Sequence, residues 1–80
     1  MDDNRHAVRR RTLKGGLIIF GAAPAIECVI RNMSETGAQF TVSGTAAIPD
    51  SFTLVIKPEM IKRNCRVAWR KADRVGVQFL

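Results

Sequence analysis

Eighty residues leave room for one hydrophobic core, and a chain this short buries only about 60–65% of the surface it exposes when unfolded. Thirteen Lys and Arg, nine of them Arg, stand against seven Asp and Glu for a net charge of +6, while 46% of the residues are hydrophobic. That composition excludes a disordered chain, the absence of any apolar run near ~20 residues excludes a membrane helix, and multi-step catalysis is not expected at this size. The opening Met1-Asp2-Asp3-Asn4-Arg5 lacks the layout of a secretion signal, so a cytoplasmic protein with an anionic partner is expected.

Residues 1–10 are polar and charged with no apolar period, and read as a flexible N-terminal arm. Residues 11–80 read as one β domain. Its first strand is expected from Thr12 to Phe20 and ends in the solid apolar run Leu17-Ile18-Ile19-Phe20. That run predicts burial on both faces, or an apolar outer phase, with Ile18 and Phe20 or their neighbours, that covers the barrel's open end or meets a second copy. Apolar residues then recur with period two: Ile26, Cys28, Ile30; Ala38, Phe40, Val42; Phe52, Leu54, Ile56; Cys65, Val67, Trp69; Val75, Val77, Phe79. Turn-forming residues punctuate these runs, and only Pro58-Glu59-Met60 suggests a single helical turn. Six short strands without helical period predict a small six-stranded antiparallel β-barrel, since closure removes edges that so short a sheet cannot otherwise protect.

Phe20, Phe40, Phe52, Trp69 and Phe79 fall in phase with aliphatic neighbours and are expected in the core. A base-stacking surface would instead put aromatics on the opposite phase, among Lys and Arg. Cys28 and Cys65 belong to no metal-binding spacing, and the single histidine is His6, so no metal site and no cofactor are expected. Both cysteines read as small buried hydrophobes, with a disulfide geometrically possible only if their strands are neighbours.

Two clusters carry chemistry. In the arm, Arg5-His6-Ala7-Val8-Arg9-Arg10-Arg11 offers guanidinium forks that bridge phosphate oxygens and stack on purines. Asp2 and Asp3 against Arg5, Arg9, Arg10, Arg11 and Lys14 leave +3, half the net charge, on the first 14 residues. The second cluster, Asn32-Met33-Ser34-Glu35-Thr36-Gly37, has turn chemistry: Asn and Ser for backbone N–H groups, and Gly for a positive φ. At a barrel rim, Asn32 and Ser34 also suit the edge of a guanine or a phosphate oxygen. Arg66, Arg70 and Arg74 read as a solvated face.

Arg5-x-x-x-Arg9 followed by Asn32-x-Ser34-x-x-Gly37, with Cys65-Arg66-Val67-Ala68-Trp69-Arg70 and Gly76-Val77-Gln78-Phe79 closing the chain, resembles the PilZ domain. The resemblance implies a six-stranded barrel and a non-enzymatic bacterial receptor for cyclic di-GMP. It implies that Arg5 and Arg9 clamp phosphates and stack on guanine, with Arg10 and Arg11 as further candidates. It implies that Asn32 and Ser34 bond a guanine edge or phosphate, and that Gly37 permits the turn. The arm would order over the rim on binding and signal to a downstream protein. Two other readings stand beside it: a basic barrel that binds single-stranded nucleic acid, and an adaptor of the same fold that works through protein contacts alone.

Overall fold

The computed structural model describes residues 10–44 and 47–80, and for residues 10–12 the backbone alone. Six strands follow in chain order: β1 (Arg10–Ile19), β2 (Ile26–Met33), β3 (Gly37–Thr41), β4 (Ser51–Ile56), β5 (Ile61–Lys71) and β6 (Arg74–Phe79). They close into the expected antiparallel barrel, in the order β1-β2-β3-β6-β5-β4. No α-helix occurs among the described residues. The segment 57–60 is a hairpin turn rather than a helical one, with a cis Lys57–Pro58 peptide and Met60 at φ 59°.

Period-two alternation fills the interior. Ile30, Phe40, Leu54, Cys65 and Val75 are fully buried, and Cys28, Val42, Phe52, Ile56 and Val77 nearly so. The Phe40 and Phe52 rings meet edge to face at 6.1 Å and 76°, a favoured aromatic geometry. Phe20 and Phe79 are partly buried and pack against this core. On β1 Ile18 is fully buried and Phe20 packs against the core, so the expected apolar outer phase falls to their neighbours and not to Ile18 and Phe20 themselves. The outward residues are Leu17 and Ile19, and register places Leu17 opposite Val55 of β4. Val55 is buried although its neighbours Leu54 and Ile56 take the inward phase.

Cys28 on β2 and Cys65 on β5 are both free and buried, and their strands are not neighbours. Burial chiefly, and the nearby Cys65 next, push the Cys28 thiol up to about 12. Burial pushes Cys65 up to about 11, against a lowering backbone hydrogen bond at Leu54. Both behave as small apolar fillers, as expected.

Three register shifts interrupt the ladders. On β1, Thr12 and Leu13 face Arg31 alone, between the pairs Arg11–Asn32 and Lys14–Ile30. On β2, Arg31 is the extra residue between the pairs Ile30–Phe40 and Asn32–Gln39. On β5, Ala68 is the extra residue between Val67–Val77 and Trp69–Gly76. Each inserted residue reverses the in–out phase of everything beyond it on that strand. Asn32, two residues after buried Ile30, therefore joins Gln39 on the outer face. Trp69, two residues after inward Val67, joins Gly76 there.

Candidate functional site

The reversed phases build one hollow on the outer face of β2, β3, β6 and β5. It encloses about 180 Å³ and is lined by Asn32, Ser34, Gly37, Gln39, Trp69 and Gly76, among others. That is below the ~300–1,000 Å³ that surrounds a whole small-molecule ligand, and suits a fragment the size of one base. The described side chains that line it carry no charge. Cationic positions stand around it: register sets Arg11 opposite Asn32, and Arg66 opposite Gln78. Two broader recesses of about 470 Å³ lie elsewhere, one beside Glu27 and Asp73 and one beside Phe20 and Leu80. Neither has a cation among the described residues of its lining, and the first carries two carboxylates, so neither suits an anion as described.

Trp69 is 41% exposed and is not a core residue, which corrects the expectation from its spacing. The physical reason is the Ala68 bulge together with Gly76 opposite. A Cβ at position 76 would overlap the Trp69 indole, so the ring occupies the space that a side chain there would need. Trp69 covers Gly76, which is buried, and presents its remaining surface to the hollow. A signal for this was present in the sequence: a lone glycine inside a strand pattern marks a bulge or a close approach.

The turn after β2 holds its own shape. Ser34 N–H donates to the Gly37 carbonyl at 2.9 Å. The Ser34 hydroxyl accepts from Thr36 N–H at 3.2 Å and lies 3.2 Å from the Thr36 hydroxyl. This is the backbone-serving role expected of Ser. Asn32 serves no backbone group in the turn; its Nδ2 donates to Gln39 Oε1 across the β2–β3 ladder at 3.1 Å. Gly37 does not take the expected positive φ. It sits at the start of β3, where any Cβ would collide with the Val77 carbonyl oxygen, so the glycine is demanded by close backbone approach.

Neighbouring strands brace this turn. Arg63 on β5 lies 4.1 Å above the Phe79 ring and donates to the Glu35 carbonyl at 3.4 Å. Phe79 N–H donates to the Thr36 carbonyl at 2.8 Å. Arg70 is not simply solvated: it donates to the Ile48 carbonyl at 2.6 Å and pairs with Asp50 at 2.9 Å, tying β5 to the segment before β4. Arg66 and Arg74 are exposed.

Of the expected ligand residues, Asn32, Ser34 and Gly37 come together in the hollow. Arg10 is the first residue of β1, and its backbone is paired opposite Met33. Arg5 and Arg9 lie outside the described residues. Gln39, Trp69 and Gly76 are lining residues that motif reading missed. Among the described residues, no group of His, Cys, Asp and Glu could hold a metal ion, and no helix is long and apolar enough to cross a membrane. Residues 3–80 match a protein-family model described as PilZ domain. No curated protein matches the chain.

Proposed function

This chain belongs to the PilZ family, a family of cyclic di-GMP-binding receptor domains that are generally non-enzymatic, and we propose that it is itself a cyclic di-GMP receptor. The observation that carries the reading is the hollow. Two bulges turn Asn32 and Trp69 out of the core phase into one uncharged recess beside the Ser34 turn, at the end of the barrel from which the arginine-rich segment departs. A guanine seated there meets Asn32 on its polar edge and the Trp69 ring on its face. Arg5 and Arg9 then supply what the hollow lacks, namely charge for the two phosphates and a flat cation for the second purine. Arg10, at the start of β1, adds a further cation. The Ser34 hydroxyl contributes to the ligand edge, and Gly37 lets the turn lie against β6.

In this reading the segment before β1 closes over the ligand, and a downstream protein in a bacterial cytoplasm reads the closed form. No covalent step is involved. The test is thermal melting with and without cyclic di-GMP. A ligand that binds only the folded state at ~100 times its dissociation constant adds about 2.7 kcal/mol, which for a domain this small raises Tm by roughly 10–20 °C. Arg9→Ala should abolish the shift and leave the ligand-free Tm unchanged. No shift and no calorimetric heat with wild-type protein would overturn the reading.

One observation favours a second reading. Trp69 lies on the outer phase with Arg66 on the same strand, an aromatic beside a cation as on a single-strand-binding sheet. Such a sheet would bind any oligonucleotide, with an affinity that falls steeply as salt rises. Equal retention of unrelated single-stranded oligonucleotides, with no preference for cyclic di-GMP, would favour it.

A further inference from the structure

Asn32 and Gln39 stand directly opposite each other on β2 and β3, both half-buried and both lining the hollow. Asn32 Nδ2 donates to Gln39 Oε1 at 3.1 Å. An asparagine amide has two faces, a carbonyl that accepts and an NH₂ that donates, and the surrounding hydrogen bonds decide which face a ligand meets. Here Gln39 engages the NH₂. The Asn32 carbonyl oxygen has no partner among the described residues.

We propose that Gln39 is a positioning residue that makes Asn32 an acceptor toward the ligand, and so sets the hollow's preference for guanine over adenine. The inference rests on the receptor reading above. Guanine presents an imino N–H and an amino group side by side on its pairing edge, whereas adenine presents an acceptor beside its amino group. A carbonyl aimed at the ring nitrogen of that edge accepts from the guanine imino N–H and meets only a lone pair on adenine. A freely rotating amide serves either base, since it can turn its NH₂ toward the adenine nitrogen. The glutamine thereby gives a neutral asparagine the hydrogen-bonding character of a carboxylate, without adding a negative charge beside an anionic ligand.

The proposal assigns a different outcome to each substitution at residue 39. Gln39→Leu removes the acceptor and frees the amide to rotate. Gln39→Glu keeps an acceptor for Nδ2 and so keeps the carbonyl presented. Asn32→Asp within the Gln39→Leu protein offers only acceptors, whichever way it turns, and needs no positioning.

The experiment is calorimetric titration of the full chain and these variants with cyclic di-GMP and with cyclic di-AMP. Melting curves confirm that each variant folds. Gln39→Leu should lose about tenfold in affinity for cyclic di-GMP, in the range of one hydrogen bond between uncharged groups, and its guanine-to-adenine ratio should fall by a similar factor. The Gln39→Leu/Asn32→Asp protein should recover the ratio. Gln39→Glu should keep the ratio even though its added charge weakens both ligands. A Gln39→Leu protein with wild-type ratio, or a double variant no more selective than Gln39→Leu, would overturn the positioning role and leave the receptor reading intact. Absence of wild-type binding to cyclic di-GMP would overturn both.

Discussion

The Trp69 indole lies across Gly76, so close that a methyl group on residue 76 would overlap its Nε1 and Cε2 atoms. Trp69 is the chain's single tryptophan, and its ring lines the candidate site. Its fluorescence should therefore change as cyclic di-GMP is added to wild-type protein. Gly76→Val, which forces the ring away, should remove that response and weaken binding about tenfold, within the ~1–3 kcal/mol of a base–aromatic stack. Emission that stays constant while calorimetry shows saturation would take Trp69 out of the contact.

Gly37→Ala tests a different close approach. The atom in the way is the Val77 carbonyl oxygen, part of a paired strand and not a side chain that can swing aside. A destabilisation of about 1–3 kcal/mol is expected, as for other overpacked sites. In a domain of this length that corresponds to a Tm lowered by roughly 4–24 °C. A Tm equal to wild type would show that β3 and β6 separate there without cost.

Ser34→Ala removes the acceptor for Thr36 N–H in an exposed turn. Its effect on stability should be small, about 0.5–1.5 kcal/mol by urea unfolding. The same substitution should weaken cyclic di-GMP binding by about 1–3 kcal/mol if the hydroxyl also meets the ligand. Unchanged affinity would restrict Ser34 to holding the turn.

The two thiols predict an alkaline limit. Burial raises Cys28 from 9.0 to about 12 and Cys65 from 9.0 to about 11, so the fold favours their protonated forms. The stability this contributes is complete below the unfolded value near 9.0, and fades as pH climbs through about 11 and then about 12. A protein carrying Cys28→Ala and Cys65→Ala should start less stable, from lost packing, but lose less on going from neutral pH to that window. Parallel pH-dependent melts of the two proteins would show it, and identical slopes would contradict it. Below pH 9 both thiols should also resist alkylation until the barrel unfolds.

The barrel was legible in the sequence because alternation is a local property, and Phe40, Leu54, Cys65 and Val75 took their expected places. The motif residues Asn32, Ser34 and Gly37 were legible as a group because they are adjacent in the chain. Trp69 was misread because period two assumes that no residue is inserted, and Ala68 is an insertion visible only against its partner strand. Gln39 was passed over for a related reason. Its significance is its position opposite Asn32, and that pairing depends on the Arg31 bulge. The missed residues are thus the ones whose roles exist only across strands.

β1 has strand partners on both sides only from Gly16 to Ile18; from Arg10 to Gly15 the described ladders join it to β2 alone. The amides of that stretch should exchange with solvent before those of the core strands, since opening it breaks one row of hydrogen bonds and uncovers little apolar surface. Its outer rungs are Arg10–Met33 and Arg11–Asn32. Opening from Arg10 inward breaks those rungs first and reaches Asn32 before it strains any described core contact. The site therefore borders the part of the barrel that opens most readily, and Asn32 sits on the boundary between the two.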